Sequence, residues 1–141
     1  MDVMDYALYR NDISHIILDN LQFMMLRGDK GTPSSNSFER FDSQDALIEK
    51  FRAYATEKNV NIILVVHPRK VDDDVPLSLS SISGTAKATQ EADAVLILQR
   101  LNGKMSLDIK KNRFDGEVGR IPLAFSPILA SYYESEEEKK K

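Results

Sequence analysis

Cysteine is missing altogether from this chain of 141 residues, and so is tryptophan. The first absence excludes a disulfide framework, a thiol nucleophile and any cysteine-ligated zinc or iron–sulfur centre. Histidine is nearly as scarce, and His15 and His67 alone argue against a zinc cage made of protein ligands. Long apolar runs are lacking too. Ile16–Leu18, Leu21–Leu26 (interrupted by Gln22), Ile62–Val66 and Ala94–Leu98 all fall far short of the roughly 20 residues that cross a bilayer. Neither sign of charge dominates, with 19 Lys+Arg against 22 Asp+Glu and a formal net charge of −3. That balance argues against unspecific coating of duplex DNA, yet it permits a local basic loop that touches phosphate. What is present, 42% hydrophobic and 29% charged residues, is the make-up of one ordinary globular domain. Chemistry must run on carboxylates, amines, guanidinium groups and hydroxyls. The opening MDVMDYALYR has two early acids and no basic stretch leading into an apolar one, so it reads as neither a signal nor a transit peptide.

Three apolar, β-branched runs, Ile13–Leu18, Asn61–Val66 and Asp93–Leu98, read as strands buried on both faces, which is the pattern of a parallel sheet. Between the first two, a polar stretch from Arg27 to Ser37 precedes Leu47, Ile48, Phe51, Tyr54 and Ala55, which recur at helical spacing. The helix is expected to begin near Asp42 or Ser43, either of which can cap its free amides. Strand, loop, helix and strand make a βαβ unit. After Val66 a charged loop with Pro68 and Pro76 leads to small residues and a short helix expected from about Ser83. From Lys104 the apolar residues alternate, and Asp115-Gly116 marks the turn of a hairpin. The expectation is an α/β fold, mainly a parallel sheet with flanking helices and a carboxyl-terminal hairpin, as one domain over residues 1–133. A charged, frayed tail is expected over 134–141. The glycines at 28, 31, 84, 103, 116 and 119 nowhere form G-x-x-x-x-G-K-[ST], so the phosphate cradle of a nucleotide-binding domain is absent from this sequence.

Four segments carry candidate chemistry. Asp19 closes the first apolar strand, and a carboxylate at the carboxyl end of a parallel strand faces the crevice where ligands bind; a strand-end Asp also serves simply to cap a turn. His67, Arg69 and Lys70 follow the second strand. Neighbouring parallel strands lie about 4.8 Å apart, so Asp19 and His67 can stand within one phosphate group of each other if their strands adjoin. Arg69 and Lys70 can clamp a nucleic-acid backbone, or they are solvated charges offset by Asp72, Asp73 and Asp74. Lys110, Lys111 and Arg113 stand at the hairpin tip, where a guanidinium can reach a partner's nucleotide; an exposed turn with ordinary basic residues has the same look. The run Gly84 to Asp93, with Gln90 and Lys87 among small residues, also suits close helix–sheet packing.

These segments occur in a familiar order: Ile17-Leu18-Asp19-Asn20-Leu21-Gln22-Phe23-Met24-Met25, His67-Pro68-Arg69-Lys70 with the following aspartates, Ala86 to Asp93 with Val95 to Gln99, and Lys111-Asn112-Arg113-Phe114-Asp115-Gly116. In that order they closely resemble the Twinkle-like mitochondrial replicative DNA helicases, which group with the phage primase-helicases and DnaB-type ring helicases. The resemblance runs from about Ile13 to Phe125. It implies a partial RecA-like domain, the carboxyl-terminal part of a motor, with the P-loop and catalytic glutamate lying before the first strand. It further implies that Asp19 positions Mg²⁺ through its water shell and that His67 senses nucleotide state. Arg69 and Lys70 would line a DNA channel, and Gln90 would sit on the coupling path. Lys111 and Arg113 would reach the neighbouring subunit's γ-phosphate, Arg113 as the arginine finger. Mg²⁺ and ATP as cofactors, single-stranded DNA and a hexameric ring as partners, and a mitochondrial location follow from the same resemblance. For this chain alone it implies no cofactor and no activity.

Two other readings use the same residues. A non-enzymatic module would bind nucleic acid or act in ring assembly without hydrolysis, and a small metal-dependent phosphoesterase would use Asp19, Asn20 and His67. The second requires more carboxylates converging on one edge than the sequence offers.

Overall fold

The computed structural model describes residues 2–21, 37–69, 72, 74–82 and 86–135. It divides into two compact units, the first from Met1–His67 with Ser83–Glu91, the second from Pro68–Ile82 with Ala92–Lys141.

The first unit opens with a helix that the apolar pattern alone does not announce, α1 (Asp2–Asn11). Its signals are ordinary ones: Asp2 and Asp5 in the first turn and Arg10 in the last, each complementing the helix dipole. Met4 and Leu8, four apart on one face, pack against a cluster of Ile16, Tyr54 and Val60. The Tyr54 hydroxyl donates to Asp5 Oδ1 at 3.0 Å, which ties α1 to the long helix α2 (Ser37–Lys58). That helix starts at Ser37, earlier than the expected Asp42 or Ser43, because Glu39 and Arg40 are good helix formers and Phe38 and Phe41 extend the apolar spacing backward.

Strands β1 (His15–Asp19) and β2 (Asn61–Val65) pair in parallel, His15 opposite Asn61 through Asp19 opposite Val65. With α2 between them in sequence they form the expected βαβ unit. One face of this ladder carries Ile16, Leu18, Ile62 and Leu64 into the core. Ile48 and Phe51 of α2 meet it there together with Leu21, whose side chain is fully buried. The other face presents the register partners Ile17 and Ile63, 67% and 44% exposed. Burial on both faces is thus corrected for these strands, since α1 and α2 pack on the same side of them. The short helix α3 (Lys87–Glu91) is held to α2 by the Lys87–Glu49 ion pair at 2.6 Å.

The second unit is an antiparallel sheet in the order β3 (Ala94–Leu101), β4 (Lys104–Asn112), β5 (Gly119–Ser126), β6 (Ser131–Glu134). The third apolar run therefore joins the antiparallel sheet and not the parallel ladder. The cause is the two residues that follow β3. Asn102 and Gly103 both adopt positive φ, at 50° and 80°, the backbone of a two-residue hairpin turn that sends the chain straight back along β3. Burial in β3 alternates accordingly: Val95, Ile97 and Gln99 are buried, Leu96 and Leu98 exposed. The hairpin of β4 and β5 turns where expected, with Gly116 at φ 79°. Glu134, expected in the tail, instead ends β6 opposite Leu123, and the Phe125 and Tyr132 rings meet at 5.0 Å. Residues 136–141 lie outside the described residues. So do Ser83, the expected start of the short helix, and Lys70.

Candidate functional site

In the first unit the register of the parallel ladder decides the geometry. Asp19 ends β1 opposite Val65, and His67 follows two residues beyond Val65, so both groups leave the sheet at its carboxyl edge from adjoining strands. Both side chains are exposed. The chain is pinned immediately afterwards by the buried Leu21, which fixes where Asp19 stands, and the Asp19–Asn20 peptide bond is cis. Gln90 lies on α3 with its backbone N–H donating to Ala86 O at 3.0 Å. Among the described residues no three His, Cys, Asp or Glu side chains gather closely enough to hold a metal ion. The donor set at the end of β1 is one carboxylate. It fits a Mg²⁺ ion that keeps several waters and takes its other ligands from nucleotide phosphates; it does not fit an all-protein cage.

The basic candidates belong to the second unit. Arg69 sits at the neck of a closed loop: its N–H donates to Ser81 O at 2.8 Å, and Pro68 forms a β-bridge with Ile82. The loop returns through a 3₁₀ turn at Leu79–Ser81. Asp72 and Asp74 are exposed on the same loop, while Lys70 and Asp73 are outside the described residues. At the hairpin tip, Lys111 is half-buried near the end of β4 and Arg113 follows its last residue. The tip is organised by its own polar groups. Asn112 donates through Nδ2 to Asp115 and accepts from the Phe114 N–H at 3.1 Å, and Asp115 accepts from the Glu117 N–H at 2.9 Å. Arg113 is anchored to the start of β3, its N–H donating to Asp93 O at 2.8 Å and Nη1 standing 3.5 Å from Asp93 Oδ1.

One cluster in this unit is not among the sequence candidates. Asp108, on β4, is 1% exposed, yet it carries a carboxylate. Its Oδ1 accepts from Ser106 Oγ at 2.8 Å and Arg120 Nε at 2.9 Å, and its Oδ2 from Gln99 Nε2 at 2.8 Å and Arg120 Nη2 at 3.0 Å. Lys110 Nζ stands 2.9 Å from the same Oδ2. Burial opposes ionisation here, but the hydrogen bonds from Arg120, Lys110 and Ser106, reinforced by the Arg120 charge, outweigh it and hold the carboxyl well below the usual carboxylate range. A signal exists in the sequence: Ser106, Asp108 and Lys110 are polar at every second position of a strand, so one whole face is polar.

With a parallel ladder that presents a carboxylate and an imidazole at its carboxyl edge, and an antiparallel extension carrying a basic hairpin tip, the fold is that of part of a RecA-like ATPase domain. The solved structure of the ATPase domain of a DnaB-type phage helicase is similar to it, with a TM-score of 0.66 and 19% identity over 94% of this chain. The match covers 50% of that structure, so the chain spans about half the length of the domain it resembles. No protein-family model matches the chain. No described helix is long and apolar enough to cross a membrane.

Proposed function

We propose that the chain is the carboxyl-terminal part of the motor of a Twinkle-like replicative helicase, an ATP-driven ring, hexameric in the intact protein, that translocates on single-stranded DNA. The observation that carries this reading is the placement of Asp19 and His67 on adjoining parallel strand ends, one to hold the ion and one to read the phosphate. The likeness in fold to an ATPase domain supports it.

In this reading Asp19 orients the water shell of Mg²⁺, which supplies charge neutralisation to the nucleotide phosphates when bound. His67 answers to the presence of the terminal phosphate and passes that state to the loop of Arg69 and Lys70, which contacts the DNA backbone. Gln90 lies on the same coupling path. Lys111 and Arg113 act on the neighbouring subunit, where a planar guanidinium stabilises charge on the transferred phosphoryl group. Because catalysis of this kind is positioning plus electrostatics, the chain alone, without a phosphate-cradling loop, neither binds nor hydrolyses ATP. The mitochondrion as its place of work belongs to the same proposal.

The deciding experiment uses Asp19→Asn in the intact protein. The residue is exposed at a strand end and the change nearly isosteric, so the ring should assemble normally while DNA-stimulated ATP hydrolysis is abolished. Near-normal turnover in the assembled variant would remove the Mg²⁺ role and with it this reading.

A further inference from the structure

The loop that carries Arg69 and the hairpin that carries Lys111 and Arg113 are joined by an unbroken path of short hydrogen bonds. Leu77, in the loop, donates its N–H to Gln99 Oε1 at 2.8 Å. The other end of the same amide, Gln99 Nε2, donates to Asp108 Oδ2 at 2.8 Å. Asp108 in turn grips Arg120 on β5 through both carboxylate oxygens, at 2.9 and 3.0 Å, and takes Lys110 at 2.9 Å. We infer that Gln99 and Asp108 are positioning residues that couple the Arg69 loop to the hairpin tip, so that a displacement of either is felt by the other. The inference rests on the functional reading given above and adds to it two residues on the path between DNA and the trans-acting hairpin.

Three physical features support it. First, the loop is closed at its neck by the Arg69–Ser81 and Pro68–Ile82 contacts, so it moves as a body, and Leu77 is where that body is fastened to the sheet. Second, only a carboxamide of this length meets both demands made on Gln99, accepting from a backbone N–H at one end and donating to a carboxylate at the other. A buried amide turned to satisfy both has one allowed orientation. Third, the carboxylate end is a bidentate pair on Asp108 and Arg120, register partners across β4 and β5, and such a pair fixes angle as well as distance. The face of β3 that holds Gln99 is buried, so the path runs through a dry part of the sheet, where these bonds are strong and costly to leave unmade. Buried polar networks of this kind contribute little net stability compared with apolar residues of equal volume; their contribution lies in fixing position.

The test is made in the intact ring with an oligothymidylate as probe, reading the ratio of DNA-stimulated to unstimulated ATP hydrolysis for the wild type, Gln99→Met, Asp108→Asn and the double variant. Methionine keeps the volume of Gln99 and removes both hydrogen bonds. The ratio should fall by a factor on the order of ten in each single variant, and the double variant should be no worse than the singles, as expected of two links in one path. Ser106→Ala, which removes one bond to Asp108 off the path, should leave the ratio as in the wild type. A wild-type ratio in Gln99→Met rings that assemble overturns the inference and leaves the helicase reading standing. A wild-type ring that oligothymidylate fails to stimulate overturns both. Hydrogen exchange on the wild-type ring gives a readout free of any folding defect in the variants: oligothymidylate should change protection at Leu77 and at residues 111–118 together, and a change confined to the loop overturns the coupling.

Discussion

Asp93 holds Arg113 twice, by a carbonyl that accepts the Arg113 N–H at 2.8 Å and by a carboxylate 3.5 Å from its guanidinium. The two contacts differ in kind. The backbone bond closes the β3–β4 edge and does not depend on the side chain at 93, whereas the ion pair is solvent-facing, long and screened. Exposed pairs of this sort contribute no more than about 1 kcal/mol. Asp93→Asn should therefore shift the stability measured by denaturant unfolding by less than about 1 kcal/mol. A loss of several times that amount would make the pair structural and leave the guanidinium too firmly held to engage a phosphate elsewhere.

The Asp108 cluster predicts a dependence of stability on acid. A carboxyl whose folded pKa is depressed adds stability that is fully present above its unfolded value, about 3.9, and is lost as pH falls through the folded value. At neutral pH Asp108→Asn should cost roughly 1 to 3 kcal/mol, because Arg120, Lys110 and Gln99 lose a charged acceptor. On acidification below about pH 4 the gap between wild type and variant should narrow, since the wild-type carboxyl is being protonated. Melting temperatures of the two proteins between neutral pH and pH 2 check this, and a constant gap would show that the carboxylate's charge is not what the cluster uses.

If Arg69 and Lys70 contact phosphates and not bases, removing them should act on every sequence alike. Replacing both by Ala in the intact protein should weaken single-stranded DNA binding to a similar degree for different base compositions. It should also flatten the slope of log affinity against log salt by about one to two, near 0.7 for each phosphate contact on a single strand. An unchanged slope would return both residues to the ordinary solvated surface, with Asp72 and Asp74 as their counter-charges.

The parts of the fold legible in the sequence are those set by local pattern. Leu47, Ile48, Phe51 and Tyr54 have a helical period and do face the core, and the Asp115-Gly116 turn falls where its residues demand. Partner choice was less legible. An apolar run such as Ala94–Leu101 suits a parallel or an antiparallel neighbour equally, and what decides is the Asn102-Gly103 pair beyond its end, a hairpin signal as strong as Asp115-Gly116. Asp19 and His67 could be named because strand ends are readable and chemistry gathers there. Gln99 and Asp108 could not be paired in advance, since their contact depends on the register of β3 against β4, and a shift of one residue would turn Asp108 to the opposite face.

Arg113 offers the sharpest check, because an arginine finger acts on a subunit other than the one that carries it. In the intact protein Arg113→Ala should leave nucleotide binding largely in place, as the phosphate cradle and Mg²⁺ site belong to the neighbouring protomer. Turnover should fall by a factor on the order of 10³ or more, as for other trans-acting arginines. Mixed rings then separate trans from cis. A subunit with Asp19→Asn keeps a good finger, and one with Arg113→Ala keeps a good Mg²⁺ site, so each adjoining pair of the two holds one competent interface. Hydrolysis recovered in the mixture, and absent from either variant alone, requires action in trans. No recovery, with mixed assembly verified by mass, leaves two causes: the finger is misassigned, or the ring needs all its sites intact. Titrating wild-type subunits into the Arg113→Ala ring distinguishes them, because independent sites lose activity in proportion to the variant fraction and a ring that fires as a unit loses it steeply. A proportional loss together with no recovery in the mixture would remove Arg113 from the neighbour's active site.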